Sequence, residues 1–211
     1  MEQTPATTTD DPVAYRDAVR RLLGDRLLDA GREQLRDRVW ARVTMAEIAT
    51  AAGVSRQTLY NEFGTRDEFG QALVIHEGSR LLDAVEETIA MHTEDPLAAL
   101  TAGLERFLTI ATSDAFVRIL LGDDGTAGLL PLLTTQSRPV LDWARERRAA
   151  TIRAQWPEAA SVDLDALADT LVRLAISHVT APRDTPAKTA AAVTGLLAPS
   201  IEQMLEAALR D

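Results

Sequence analysis

The 211-residue chain has no cysteine, which excludes disulfides, thiolate metal sites and cysteine nucleophiles and fits a reducing compartment. Aromatic residues are scarce at 4%, so any core must be built from Ala, Leu, Val and Ile. Only 11 Gly and 9 Pro occur, too few for a turn-dense all-β fold, and strand-like alternation is missing. No apolar run approaches the ~20 residues of a membrane span, so no membrane partner is expected. Residues Met1 to Asp11 are polar and acidic, unlike a secretory or transit segment, and the expected location is the cytoplasm. The nucleophile elbow, the zinc-protease helix, the P-loop and the Gly-rich dinucleotide fingerprint are all missing. An enzyme is not expected, nor is any cofactor. His76, His92 and His178 lie far apart, and the Asp123-Asp124 pair lacks further oxygen ligands at alternating positions, so no metal site is expected either.

Charge of one sign is also in deficit, with a net charge of −10. An acidic surface repels phosphate, which argues at first against a nucleic-acid partner. The distribution of the charge argues the other way. Between Arg16 and Arg66 stand ten arginines against seven acids, while the remainder holds 12 basic and 25 acidic residues. A mildly basic N-terminal part is thus joined to a strongly acidic body.

What the chain does have is helical signals in succession. The Thr-rich start, residues 1–11, reads as a disordered tail. Apolar residues at Ala14, Ala18, Leu22 and Leu23 mark a helix from Val13 to Ala30, with an end expected near Gly31. Thr44-Met-Ala-Glu47 and Thr65-Arg-Asp-Glu68 are capping boxes, and Ser55 is an N-cap between them. Asp95-Pro96 opens a further helix, with proline at its first position. Later helices are expected over Leu129 to Gln155 with a break at Pro139, over Val162 to Val179, and over Pro186 to Leu209 with a kink at Pro199. The expected fold is all-α, with nine or ten helices and a boundary near Thr65.

Thr44 to Phe69 reads TMAEIATAAGVSRQTLYNEFGTRDEF. A short helix turns Ile48, Ala49 and Ala52 inward, Gly53 permits a sharp turn, and Val54 plugs the angle. Ser55 then caps a second helix whose Leu59 and Phe63, four residues apart, face the core. This is a helix-turn-helix. Its second helix leaves Arg56, Gln57, Thr58, Tyr60 and Asn61 outward. A helix exposed merely for solubility carries Glu and Lys; this donor-rich face suits base edges and phosphates in a major groove.

The pattern AxxAGVSxxTLYxxF, followed by a short loop and a basic residue, resembles the N-terminal domain of the TetR family of bacterial transcription regulators. The motif spans about a quarter of the chain. The resemblance implies a three-helix helix-turn-helix head over residues 12–65 and a helical-bundle body over 66–211 for effector binding and dimerisation. It implies that Thr44 contacts phosphate, that Ser55, Arg56, Gln57 and Thr58 lie at or in the groove, and that Tyr60 and Arg66 reach phosphates. Asn61 stands where the family carries His or another polar residue. Arg66 replaces the more usual lysine, with different geometry. A homodimeric repressor on a palindromic double-stranded operator follows.

The resemblance also implies a ligand cavity among the middle helices, and the stretch Leu100 to Leu133 is rich in Leu, Ile and Phe. Candidate lining residues are Phe107, Phe116, Leu120, Trp143 and Ile176, with His178 as a polar anchor. Such a lining favours a small hydrophobic, fatty-acyl-like effector. The last two helices, through Leu167, Leu171, Leu174, Val193, Leu197, Ile201 and Leu205, are expected to pair between subunits. A rival reading is a DNA-binding interaction or architectural protein whose body binds a protein or only dimerises. A well-formed apolar pocket in the body separates the two.

Overall fold

The computed structural model describes residues 12–36, 38–92, 94–122, 129–133, 137–155 and 164–208. The expected tail 1–11 and the Asp123-Asp124 turn lie outside them. Within them the order is α1 (Pro12–Gln34), a 3₁₀ turn (Trp40–Arg42), α2 (Met45–Ala51), α3 (Arg56–Phe63), α4 (Arg66–Ala90), α5 (Pro96–Ser113) and α6 (Ala115–Gly122). A second 3₁₀ turn (Leu130–Leu133), α7 (Arg138–Gln155), α8 (Leu164–Thr180) and α9 (Pro186–Ala208) follow. Among the described residues there is no strand, and no helix is long and apolar enough to cross a membrane.

Local chemistry accounts for most boundaries. Both capping boxes form, and the Asp95 side chain accepts from the Ala98 N–H at 2.9 Å. Gly53 takes φ +69°, the left-handed conformation that lets α2 stop and the chain turn sharply. The Val54 N–H closes the turn on the Ala49 carbonyl at 2.9 Å.

Two boundaries differ from expectation. Helix α1 runs through Gly31 to Gln34. A Cβ at Gly31 would lie 2.8 Å from two atoms of the Phe69 ring, so this glycine admits a close crossing of α4 rather than ending α1. Pro139 does not break a helix: it stands second in α7, where the missing N–H has no intrahelical partner to lose. Helix α9 runs from Pro186 to Ala208 with Pro199 inside it, close to the expected span.

The main core cluster joins both parts of the chain. It combines Leu27, Leu35, Ile48 and Leu59 of the N-terminal helices with Phe69 and Leu73 of α4 and with Phe116, Leu120, Leu129 and Val140 further on. Helix α4 packs against α5, α5 against α9, and α7 against α8. The leucines assigned to a subunit interface behave differently from expectation. Leu167, Leu171, Val193 and Ile201 are buried within the monomer, and Leu174 and Leu197 pack partly against the same cores. The side chain of Leu205 lies outside those described. Helices α5 and α7 cover the buried positions, a tertiary contact that the amphipathic pattern does not distinguish from a subunit contact. Among the described side chains of α9, the large apolar one left outward is Leu196, 82% exposed.

Candidate DNA-binding face and effector cavity

Helix α2 begins in a tightly bonded corner. The Glu47 carboxylate accepts from the Thr44 N–H at 2.8 Å, from the Thr44 hydroxyl at 2.7 Å and from Arg38 at 2.9 Å. The Thr44 hydroxyl, then its backbone N–H, then Arg38 hold the Glu47 carboxyl far below its ordinary value, at about 2. Thr44 stays exposed at the N-terminus of α2, where backbone N–H groups and the helix dipole suit a phosphate.

Helix α3 presents the other candidates. The Ser55 oxygen accepts from the Thr58 N–H at 3.0 Å, and the two hydroxyls lie 2.8 Å apart. Leu59 is fully buried beneath the helix, while Arg56, Gln57, Tyr60 and Asn61 are exposed and Thr58 is half-buried. Gln57 donates to the Asn61 carbonyl at 2.8 Å. This i, i+4 bond pre-orders two amides and leaves the Gln57 carbonyl and the Asn61 amide hydrogens directed at whatever meets the face. The acid at the end of the face, Glu62, is paired with Arg20 of α1 at 2.9 Å.

Arg66 is placed otherwise than the resemblance implies. Its guanidinium lies 4.2 Å over the Trp40 ring, donates to the Trp40 carbonyl, and approaches the Val43 carbonyl at 3.4 Å. It staples the first 3₁₀ turn to the start of α4. A planar fork that can stack on indole while bonding carbonyls turns inward; this is the geometric consequence of arginine at the position.

In the body a cavity of about 310 Å³ opens between α4, α5, α6, α7 and α8. Phe107, Phe116, Leu120, Trp143 and Ile176 line it, as expected. His178 does not; its helical neighbours Ile176, Val179 and Thr180 do. The polar part of the wall was missed from the sequence: Arg32, Glu77, Arg80, Asp114 and Arg148. Arg32, in the last turn of α1, donates to Glu77 of α4 and lies 3.4 Å from Asp114. Asp114 in turn caps α6, accepting from the Phe116 N–H at 2.7 Å. Burial pushes the Glu77 carboxyl up, against the pull of Arg32, and its Oε1 has no hydrogen-bond partner among the described residues.

A helix-turn-helix with a donor-rich second helix, carried by a helical body with an apolar cavity, defines a two-part DNA-binding regulator. Comparison with known proteins agrees. Residues 27–73 match the family described as bacterial regulatory proteins, tetR family, and residues 95–199 match the bacterial tetracyclin repressor C-terminal domain. The chain is 34% identical over 191 residues to the HTH-type transcriptional regulator AlkX of Mycobacterium tuberculosis, covering 90% of each. It is 29% identical to the TetR family repressor AlkX from Dietzia sp. strain DQ12-45-1b, implicated in biodegradation of n-alkanes, with a TM-score of 0.73 over 85% of this chain and 95% of that one. A match to the regulator NfxB of Pseudomonas aeruginosa is confined to 68 residues, at 38% identity over 32% of this chain and 36% of that one. The chain belongs to the TetR family and is a helix-turn-helix transcription regulator.

Proposed function

We propose that this regulator is a homodimeric repressor that leaves a palindromic operator when a small hydrophobic, fatty-acyl-like effector fills its body. The cavity carries this reading: about 310 Å³, walled chiefly by aliphatic and aromatic side chains, within the size range of small-molecule sites. The Dietzia AlkX is implicated in n-alkane biodegradation, and an alkane-derived chain suits such a wall. Residues 12–65 act as the head and 66–211 as the body. Thr44, Ser55, Arg56, Gln57, Thr58, Tyr60 and Asn61 meet DNA; Arg66 holds the head to α4 instead.

The repressor works by population shift. In a dimer the two α3 helices must enter grooves about 34–36 Å apart. Arg32 joins α1 to the cavity wall through Glu77 and Asp114, so a ligand that moves α4 or α6 re-aims the head. A coupling of ~1–3 kcal/mol weakens operator binding five- to 150-fold. The test is a panel of medium-chain aliphatic compounds, read by melting temperature and by operator binding. Binders should raise the first and weaken the second. A panel that changes neither quantity refutes the reading and favours a body that serves only protein contacts.

A further inference from the structure

Among the described residues of the cavity wall, one cation makes no hydrogen bond or ion pair. Arg148 lines the cavity from α7, on the same helical face as Ala144 and Val140. Among the described residues its guanidinium has no hydrogen-bond or ion-pair partner. The acid whose charge acts on it is already committed. Glu86 accepts from Arg147 Nε at 2.7 Å and from Nη2 at 2.9 Å, and from the Thr151 hydroxyl at 3.1 Å. The other cations on the wall are matched, Arg32 to Glu77 and Asp114, and Arg80 to Asp29 at 3.9 Å. Burial lowers the Arg148 pKa; Glu86 opposes that shift and Arg147 adds to it. Arg148 is half-buried, and a guanidinium that faces a largely apolar cavity without a bonded acceptor leaves donors for a ligand to satisfy.

We propose that Arg148 binds the anionic end-group of the effector, so the ligand is an aliphatic chain ending in a single carboxylate. This rests on the reading of the cavity as an effector site. The planar fork of arginine matches a carboxylate through two parallel bonds. The rest of the molecule then has an apolar path. Ala144 and Val140 lie one and two turns back along α7, and Leu120 and Phe116 of α6 line the same cavity. The carboxylate end therefore sits level with Glu86. The chain points toward the Arg32–Glu77 pair, nine residues and about 13 Å back along α4.

The test uses the full chain with decanoate, methyl decanoate and 1-decanol, measured by calorimetry at pH 7.5 on the native protein, Arg148→Met and Arg148→Lys. The native protein should bind decanoate at least tenfold more tightly than the ester or alcohol, as expected for charge-assisted bonds in a desolvated site. Arg148→Met should lose that preference while holding the alcohol within about threefold, and Arg148→Lys should retain part of it. Without ligand, Arg148→Met should melt no lower than the native protein, because the fold loses no hydrogen bond or ion pair; an arginine serving only the fold would show a drop. Equal binding of acid, ester and alcohol by the native protein overturns the assignment but leaves an apolar effector site standing. So does a preference for acid that survives in Arg148→Met. If none of the three compounds binds, the effector reading itself falls. Should Arg148→Met fail to fold, the native comparison of acid with ester decides alone.

Discussion

Gly31 offers a sharp measurement of how tightly the head is held to α4. Placing a methyl group there brings Cβ to 2.8 Å from the Cε1 and Cζ atoms of Phe69, well inside the ordinary carbon contact of about 3.5–4.0 Å. The ring cannot easily retreat. Phe69 is fully buried, with Phe63 edge-on at 5.0 Å and Trp40 stacked at 6.3 Å. Overpacking of this kind costs about 1–3 kcal/mol. Against it stands the helix propensity of Ala over Gly, about 1 kcal/mol. The overlap wins, and Gly31→Ala should destabilise by about 1 kcal/mol, lowering Tm by about 2–4 °C in a chain of this length. Gly24 is the matched control in the same helix. Its added Cβ would meet only Phe63, at an ordinary 3.9 Å, so Gly24→Ala should raise Tm. Pairing Gly31→Ala with Phe69→Leu should show favourable coupling, since the smaller side chain removes the clash. Thermal melts of the four variants check this. If Gly31→Ala melts as high as Gly24→Ala, the close crossing does not exist and the account of α1 is wrong.

Arg56→Ala should cost ~1–3 kcal/mol on the cognate operator and relax preference at one base pair of each half-site, whereas Tyr60→Phe should weaken cognate and non-cognate DNA alike, by roughly 0.5–1.5 kcal/mol per contact; isotherms on a half-site panel separate them. Arg66→Met should lower Tm by removing the stack and the carbonyl bonds, yet leave the slope of DNA affinity against salt unchanged. A slope lower by about one unit per half-site would restore a phosphate contact for it. Because the Glu47 carboxyl is held at about 2 against an ordinary 4.5, its contribution to stability is complete above pH 4.5 and disappears as the pH falls toward 2. Glu47→Gln should therefore flatten the acid limb of a Tm-versus-pH curve in that window. Leu196→Glu, on the outward face of α9, should yield monomers in sedimentation equilibrium; an unchanged dimer would place the subunit contact elsewhere.

The features legible in the sequence are those set within a few residues. Thr44 with Glu47, Thr65 with Glu68, Asp95 with Pro96, and Gly53 before Ser55 each specify a helix end through neighbours, and each formed as read. What escaped depends on partners far along the chain. Gly31 looks like a helix terminator until Phe69, 38 residues on, is laid across it. Leu171 and Ile201 show the same apolar pattern whether the covering surface is α5 or a second subunit. For the cavity, aromatic and aliphatic candidates were found because any large side chain among the middle helices has a fair chance of facing it. His178 and Arg148 illustrate the harder part. Which polar residue of an amphipathic helix turns inward is decided by neighbouring ion pairs, here by Arg147 occupying Glu86.

The last turn of α1 matters to anyone who would recombine such regulators. Arg32 is reached from the N-terminal side of any division at residue 65, yet it forms part of the cavity wall and bonds two acids of the body. A biosensor assembled by grafting this body onto a foreign head at that junction would import a stranger into the wall of its own cavity. Glu77 would be left facing whatever the donor head supplied. Functional chimeras should therefore transplant the body together with Arg32 and the α1 surface around Gly31, moving the seam into the helix-turn-helix, α2 and α3.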